Sequence, residues 1–338
     1  MRMITDPTRF VRRSMSHPSG WLAAILLVLL GAPPIHAQSS AMQRAVLQGQ
    51  SAARDSAQKY YVDAARIAAE GRYGPAIAQL RKAMEFLPNE PQLKVDMAVL
   101  LMASGDKAGA VRELEPLAEQ PSPYGPAVIQ LGDFELGDGD TTAALAYYGK
   151  LTIGPDPFSP ALLRMGDVAQ AQGKRMDAAR YYREATRTDS TFIEAWLSLG
   201  SVYVIMDRYA EGLRAFDRAV AVDPANNMAQ ELQRLAIQRK EEYDEGLATG
   251  KMRARIIVTE TREDAARVRQ MLANGADFIA LATNHSIDPT AQVGGDLGFF
   301  AEGEMIPVFE QAVKQLNPGE ISPVLNLPSG YGIILRVN

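Results

Sequence analysis

Trp196-Leu197-Ser198-Leu199-Gly200-Ser201-Val202-Tyr203 is the stretch that decides how this chain is read. Its Trp, Leu, Gly and Tyr lie three or four residues apart, which places them on one face of a helix. Tyr209, Gly212, Phe216 and Ala219 repeat that spacing shortly afterwards. Asp223-Pro224 then ends the second helix, because proline has no amide proton and restricts the residue before it. Gly200 and Gly212 mark the place where the two helices cross closely, and Phe216 fills the space beyond them. Upstream the same pattern returns every 34 residues. Gly71, Gly105, Gly139 and Gly173 form one series, with Asp207 in the fifth slot. Ala76, Ala110, Ala144, Ala178 and Gly212 form a second; Leu80, Leu114, Tyr148, Tyr182 and Phe216 a third; Ala64, Ala98, Gly132, Gly166 and Gly200 a fourth. No gap is needed between residues 57 and 226.

The pattern predicts five helix-turn-helix units over 57–226. A helical hairpin cannot bury its apolar face alone, so neighbours stack into a right-handed α-helical solenoid with a concave surface. Residues 227–249 are expected to form its capping helix. The run at 196–203 resembles the tetratricopeptide repeat, and the resemblance extends over 57–226. Repeats one and two, with Asp63-Ala64 and Met97-Ala98 in place of the Leu-Gly pair, are less typical. Tyr148 and Tyr182 hold the core slot; Tyr147 and Tyr181 flank it and are expected to be more exposed. The repeats carry no catalytic constellation. The resemblance implies that their concave face holds a peptide or a partner protein.

A new pattern starts after Gly250. Residues 252–259 read as a strand. Thr261 caps a helix through about Gly275 with Asp264 three residues on, and Asp277 opens another. Ser286-Ile287-Asp288-Pro289 is a polar turn, followed by Gly294-Gly295-Asp296-Leu297-Gly298 and Phe299-Phe300. Pro307 leads a short helix with Phe309, Ala312, Val313 and Leu316 on its inner side. Residues 321–326 and 331–337 read as two strands joined by Pro328-Ser329-Gly330. The order β, α, α, β, α, β, β predicts a small α+β domain over 250–338 with a four-stranded antiparallel sheet.

This segment resembles the parvulin family of peptidyl-prolyl cis-trans isomerases. The marks are Arg253-Ala254-Arg255, Asp277-Phe278 before Leu281-Ala282, Ser286-x-Asp288, Gly294 to Gly298, Gly303-x-Met305-x-Pro307-x-Phe309, Pro318-Gly319-Glu320-Ile321-Ser322 and Gly330-Tyr331. The resemblance implies a reaction without cofactor, metal or covalent step. An X–Pro bond rotates over a barrier of ~18–20 kcal/mol, because the amide loses its resonance midway. An enzyme grips the prolyl ring in an apolar pocket and favours the twisted amide electrostatically. By resemblance Leu297, Met305 and Phe309 form that pocket. Asp288 stands where the family places an acid or a cysteine beside the rotating carbonyl, and Ser329 lies on the far rim; these two are the catalytic candidates. As residues, Leu297 and Phe309 also read as core, and Asp288 as a turn-forming aspartate. The family's two histidines are both absent, replaced by Ile256 and Gly332. Loss of both together points to a buried polar network replaced as a unit, since one leftover histidine would be unsatisfied. His285 reads as an exposed residue at a helix end and does not substitute.

The other end of the chain reads as a targeting segment. Arg9, Arg12 and Arg13 precede the apolar run from Trp21 to Leu30, and small residues lead to Ala37. Residues 1–37 are therefore expected to be a secretory signal, with 38–56 a linker or N-terminal helix. The apolar run is far shorter than the ~20 residues of a spanning helix. The protein is then exported, periplasmic or extracellular, with no membrane span once the signal is removed, or with a tether there if it is not. Lys and Arg number 35 against 40 Asp and Glu, a net charge of −5. That balance lacks the basic stripe of a nucleic-acid binder. With no cysteine, thiolate zinc sites and cysteine nucleophiles are excluded, and three histidines (His17, His36 and His285) leave little material for a histidine metal cage. Two functions remain open. One is an exported isomerase acting on proline-containing polypeptides; the other is a catalytically weak or inactive chaperone or scaffold that clamps peptides.

Overall fold

The computed structural model describes residues 51–153 and 157–338. The chain divides into two compact units, one ending at Ala161 and the other running from Leu162 to Asn338. The expected signal segment, 1–37, and the linker as far as residue 50 lie outside the described residues.

In the first unit three hairpins follow one another: α1 (Ser51–Ala69) with α2 (Tyr73–Phe86), α3 (Pro91–Ala103) with α4 (Lys107–Ala118), and α5 (Gly125–Gly137) with α6 (Thr141–Lys150). Helix α1 thus starts ahead of residue 57, where the first repeat was expected to open. The division between the units falls within α7 (Ser159–Ala171), which pairs with α8 (Arg175–Thr188). The fifth hairpin is α9 (Ile193–Ile205) with α10 (Tyr209–Val222), and α11 (Asn227–Ala248) covers the residues expected to cap the array. Helices α3, α5, α7 and α9 begin at Pro91, Gly125, Ser159 and Ile193, one 34-residue period apart.

The series have steric causes. The turn glycines 71, 105, 139 and 173 have φ between +74° and +92°, a backbone that side chains rarely adopt. Gly132, Gly166 and Gly200 lie under the rings of Tyr148, Tyr182 and Phe216, where an added Cβ would overlap the ring. Where the large slot holds the shorter Leu80 or Leu114, the small slot holds Ala64 or Ala98, and all four are buried. Gly166→Ala is therefore expected to destabilise the fourth repeat by about 1–3 kcal/mol, as overpacking does, read in the thermal midpoint of the full chain. Tyr148 and Tyr182 are buried, and each hydroxyl donates to an aspartate, Asp133 at 2.7 Å and Asp167 at 2.9 Å. Tyr147 and Tyr181 are half-buried, as expected of flanking positions.

The C-terminal elements are β1 (Met252–Thr259), α12 (Arg262–Ala273), α13 (Phe278–His285), a 3-10 turn at Pro289–Val293, β2 (Asp296–Phe300), α14 (Pro307–Gln315), β3 (Leu325–Leu327) and β4 (Gly330–Arg336). The antiparallel sheet has the order β2-β1-β4-β3. Alternation along β1 splits the core in two. Ala254, Ile256 and Val258 pack with Phe300, Ile334 and, from α14, Phe309 and Val313. Ile257 and Ile333 pack with Ala265, Val268 and Leu272 of α12 and with Phe278 and Leu281 of α13. Thr261 caps α12 by accepting the Asp264 N–H at 3.1 Å, and Asp277 caps α13 by accepting that of Ala280 at 2.8 Å.

One strand is shorter than expected. Of residues 321–326 only the end belongs to β3, and Ile321 makes an isolated bridge to Leu335. Pro323 supplies no ladder donor. Beside it the Ser322 hydroxyl accepts the Ile334 N–H at 2.9 Å, a place a strand would fill with a backbone carbonyl. Among the described residues no helix is long and apolar enough to cross a membrane.

Candidate functional site

Leu297 in β2, Met305 in the loop after it and Phe309 in the first turns of α14 join one apolar cluster against the sheet. Pro307 opens α14 at a position where its missing amide proton costs nothing. Phe309 is 3% exposed and meets Phe300 edge-on, with centroids 5.6 Å apart. It is the floor of the cluster. Leu297 and Met305 are only partly buried and form its open side.

The loop that carries Met305 is fixed by a residue the sequence reading missed. Oε1 of Glu310 accepts the N–H of Met305 at 3.0 Å and that of Gly303 at 2.7 Å. These amides, Met305 first, hold the Glu310 carboxyl below the usual range. An acid in the first turn of a helix ordinarily complements the helix dipole, and no spacing signal announces a reach back across the preceding loop.

Asp288 sits at the edge of β1. Ile287 N–H donates to Val258 O at 2.8 Å, and Val258 N–H donates to the Ser286 hydroxyl at 3.0 Å. Asp288 therefore directly follows a residue bonded to Val258, a strand residue of the apolar cluster. Its carboxylate accepts the N–H of Thr290 at 2.8 Å and the Thr290 hydroxyl at 2.5 Å, which caps the 3-10 turn. The turn-forming role is thus realised, with the side chain half-buried. Ser329 is exposed in the two-residue turn between β3 and β4, following Leu327 of the same cluster. The three apolar residues share one cluster; Asp288 and Ser329 are not members of it.

The two positions where the family resemblance places histidines face this cluster and are apolar. Ile256 is 5% exposed. A Cβ on Gly332 would overlap the Leu327 side chain and stand 3.8 Å from Ile256 Cδ1. Leu327 thus fills the room that a side chain at 332 would need, next to Ile256. His285 is exposed at the end of α13, the helix packed on the other face. Among the described residues no three acids or histidines gather as a metal site requires.

An array of helical hairpins followed by a small antiparallel-sheet domain with an apolar cluster defines the class. Residues 253–338 match the family model of the PPIC-type peptidyl-prolyl isomerase (rotamase) domain, and residues 163–227 match that of the tetratricopeptide repeat. Foldase protein PrsA of Oceanobacillus iheyensis is 43% identical over 88 residues, covering 26% of this chain and 29% of that protein. Chaperone SurA of Nitrosospira multiformis is 45% identical over 67 residues, 20% of this chain and 15% of that one. The chain spans less than a third of the length of these two relatives. The solved parvulin NmPin of Nitrosopumilus maritimus is 34% identical, with 26% of this chain and 96% of that one covered and a TM-score of 0.25. Residues 253–338 thus carry a PpiC-type (parvulin-like) domain, and residues 163–227 a tetratricopeptide repeat.

Proposed function

We propose that this protein is an exported folding factor that isomerises X–Pro bonds of polypeptide clients without a covalent step, while its repeats hold the client or a partner protein. The observation that carries the reading is the convergence of Leu297, Met305 and Phe309 in one partly open apolar cluster. A prolyl ring seated on the Phe309 floor leaves water, and the burial of its methylenes at ~0.8 kcal/mol each supplies the grip. Rotation decouples the carbonyl from the nitrogen lone pair, so the twisted amide has a more polar carbonyl and a more basic nitrogen than the planar one. Asp288 and Ser329 are the polar groups proposed to respond to that change. Export rests on the Arg-rich start and apolar run of residues 9–37.

A second reading has its own support. Ile256 and Leu327, buried members of the same cluster, are apolar where a polar network would orient the substrate. In that reading the site binds proline segments without turning them over, and the protein acts as a peptide-clamping chaperone. Exchange NMR on a proline tetrapeptide with catalytic amounts of the full chain separates the two. Uncatalysed exchange takes tens to hundreds of seconds. The isomerase reading expects faster exchange that Asp288→Ala reduces; exchange at the uncatalysed rate, with binding retained, selects the second reading.

A further inference from the structure

The turn of the fifth repeat breaks a rule that the other four keep. Asp207 occupies the glycine slot at φ +60°, a conformation that glycine adopts freely and, among residues with a side chain, aspartate and asparagine adopt most readily. A glycine would suit the turn better, and backbone strain of this kind persists only where its surroundings hold it. Those surroundings are in β1. Asp207 Oδ2 accepts from Arg255 Nη2 at 2.8 Å, and Oδ1 meets Arg253 Nη2 at 3.0 Å. Both guanidinium groups are almost wholly buried, and both also reach Asp296, the residue before Leu297. Tyr209 Oη, at the start of α10, donates to Asp207 at 2.8 Å and accepts from Arg253 Nη1 at 2.9 Å. Tyr243 of α11 and Phe299 of β2 meet nearby with tilted rings 5.5 Å apart, each ring 5.7 Å from the Arg253 guanidinium. Burial opposes the charge on Arg253, yet Asp296 and Asp207 hold it protonated well above the usual range.

The turn one period earlier docks on the same domain. Gly173, the turn glycine of the fourth repeat, would carry a Cβ 2.6 Å from Ala280 of α13. Arg175, two residues on, pairs with the Asp277 that caps α13. Because the period is 34, turns 173 and 207 fall in equivalent places in consecutive hairpins. The first fits the isomerase domain by shape and one ion pair, the second by a buried charge cluster.

We propose that Asp207 is a positioning residue: it locks the isomerase domain to the turns of the fourth and fifth repeats, so that residues 162–338 move as one rigid body and β2, with Leu297, is held in place from outside its own domain. Its value for the client rests on the function proposed above. A chain held by these repeats would meet the prolyl cluster as an intramolecular neighbour, at the raised effective concentration that a fixed geometry confers.

The test uses the full chain and needs no isomerase activity, so a silent activity assay would leave it intact. Asp207→Gly keeps the left-handed turn and removes the carboxylate; Asp207→Asn keeps a side-chain acceptor without the charge. In the unmodified protein, 15N relaxation is expected to fit a single tumbling tensor for the repeats of 162–226 and for 252–338. In Asp207→Gly two tensors are expected. Amides of β1 and β2 should exchange roughly tenfold faster, amides of α9 and α10 should keep their protection, and Asp207→Asn should fall between. The proposal is overturned by separate tensors in the unmodified protein, by unchanged exchange of β1 and β2 in Asp207→Gly, or by loss of protection that starts in α9 and α10.

Discussion

Phe309→Ala is expected to cost the C-terminal domain about 3–5 kcal/mol, the usual range for deleting a buried aromatic ring. Phe309 is 3% exposed, lies between the sheet and α14, and gives its edge-on contact with Phe300. Removing it opens a cavity that Val313 and Ile334, both fully buried, cannot collapse into without moving the sheet or the helix. Urea unfolding followed by amide signals of residues 252–338 reads the loss. The same variant separates floor from rim. Met305→Ala removes a partly exposed thioether and is expected to cost less stability while weakening proline-peptide binding as much. A Phe309→Ala variant destabilised by under 1 kcal/mol would mean that the ring is not the floor of this cluster.

Putting histidine back at position 332 is expected to harm the domain. The space there belongs to Leu327, with Ile256 beyond it. Gly332→His combines overpacking, about 1–3 kcal/mol, with burial of an imidazole among Ala254, Val258 and Ile334, which have no side-chain group to pair with it, about 1–3 kcal/mol more. Leu327→Ala in the same chain relieves the overlap. The pair of substitutions should therefore be at least ~1 kcal/mol less damaging than the sum of the two singles. A double-mutant cycle by urea unfolding measures this. If Gly332→His is tolerated alone within ~0.5 kcal/mol, as an ordinary surface change would be, then Leu327 does not hold the histidine space.

These outcomes also show where the sequence was readable. The repeats were legible because their geometry imposes itself on residue size. A small residue at 132, 166 or 200 faces a ring 16 residues on, and the pairing of alanine with leucine in the first two copies follows the same volume rule. Leu297, Met305 and Phe309 were named from the family resemblance, and the structure brings them into one apolar cluster. Strand 321–326 was misread because apolar Ile321, Val324 and Leu325 fit a strand pattern, whereas Pro323 and the Ser322 hydroxyl interrupt its hydrogen bonding. Glu310 was not legible, since its partners are backbone amides and leave no trace in residue identity. Asp207 was visible as an exception to the glycine series, but its partners at 253 and 255 belong to another domain, and no local periodicity links them.

The central claim, that Leu297, Met305 and Phe309 receive a prolyl ring, is met most directly by titrating a proline tetrapeptide into full-length protein labelled on the methionine and leucine methyl groups. Saturable shifts are expected at the Met305 ε-methyl and the Leu297 methyls, with ring contacts from the peptide's proline to both. Shifts confined to methyl groups of the repeats, or none at 297 and 305 while the peptide binds, would contradict it.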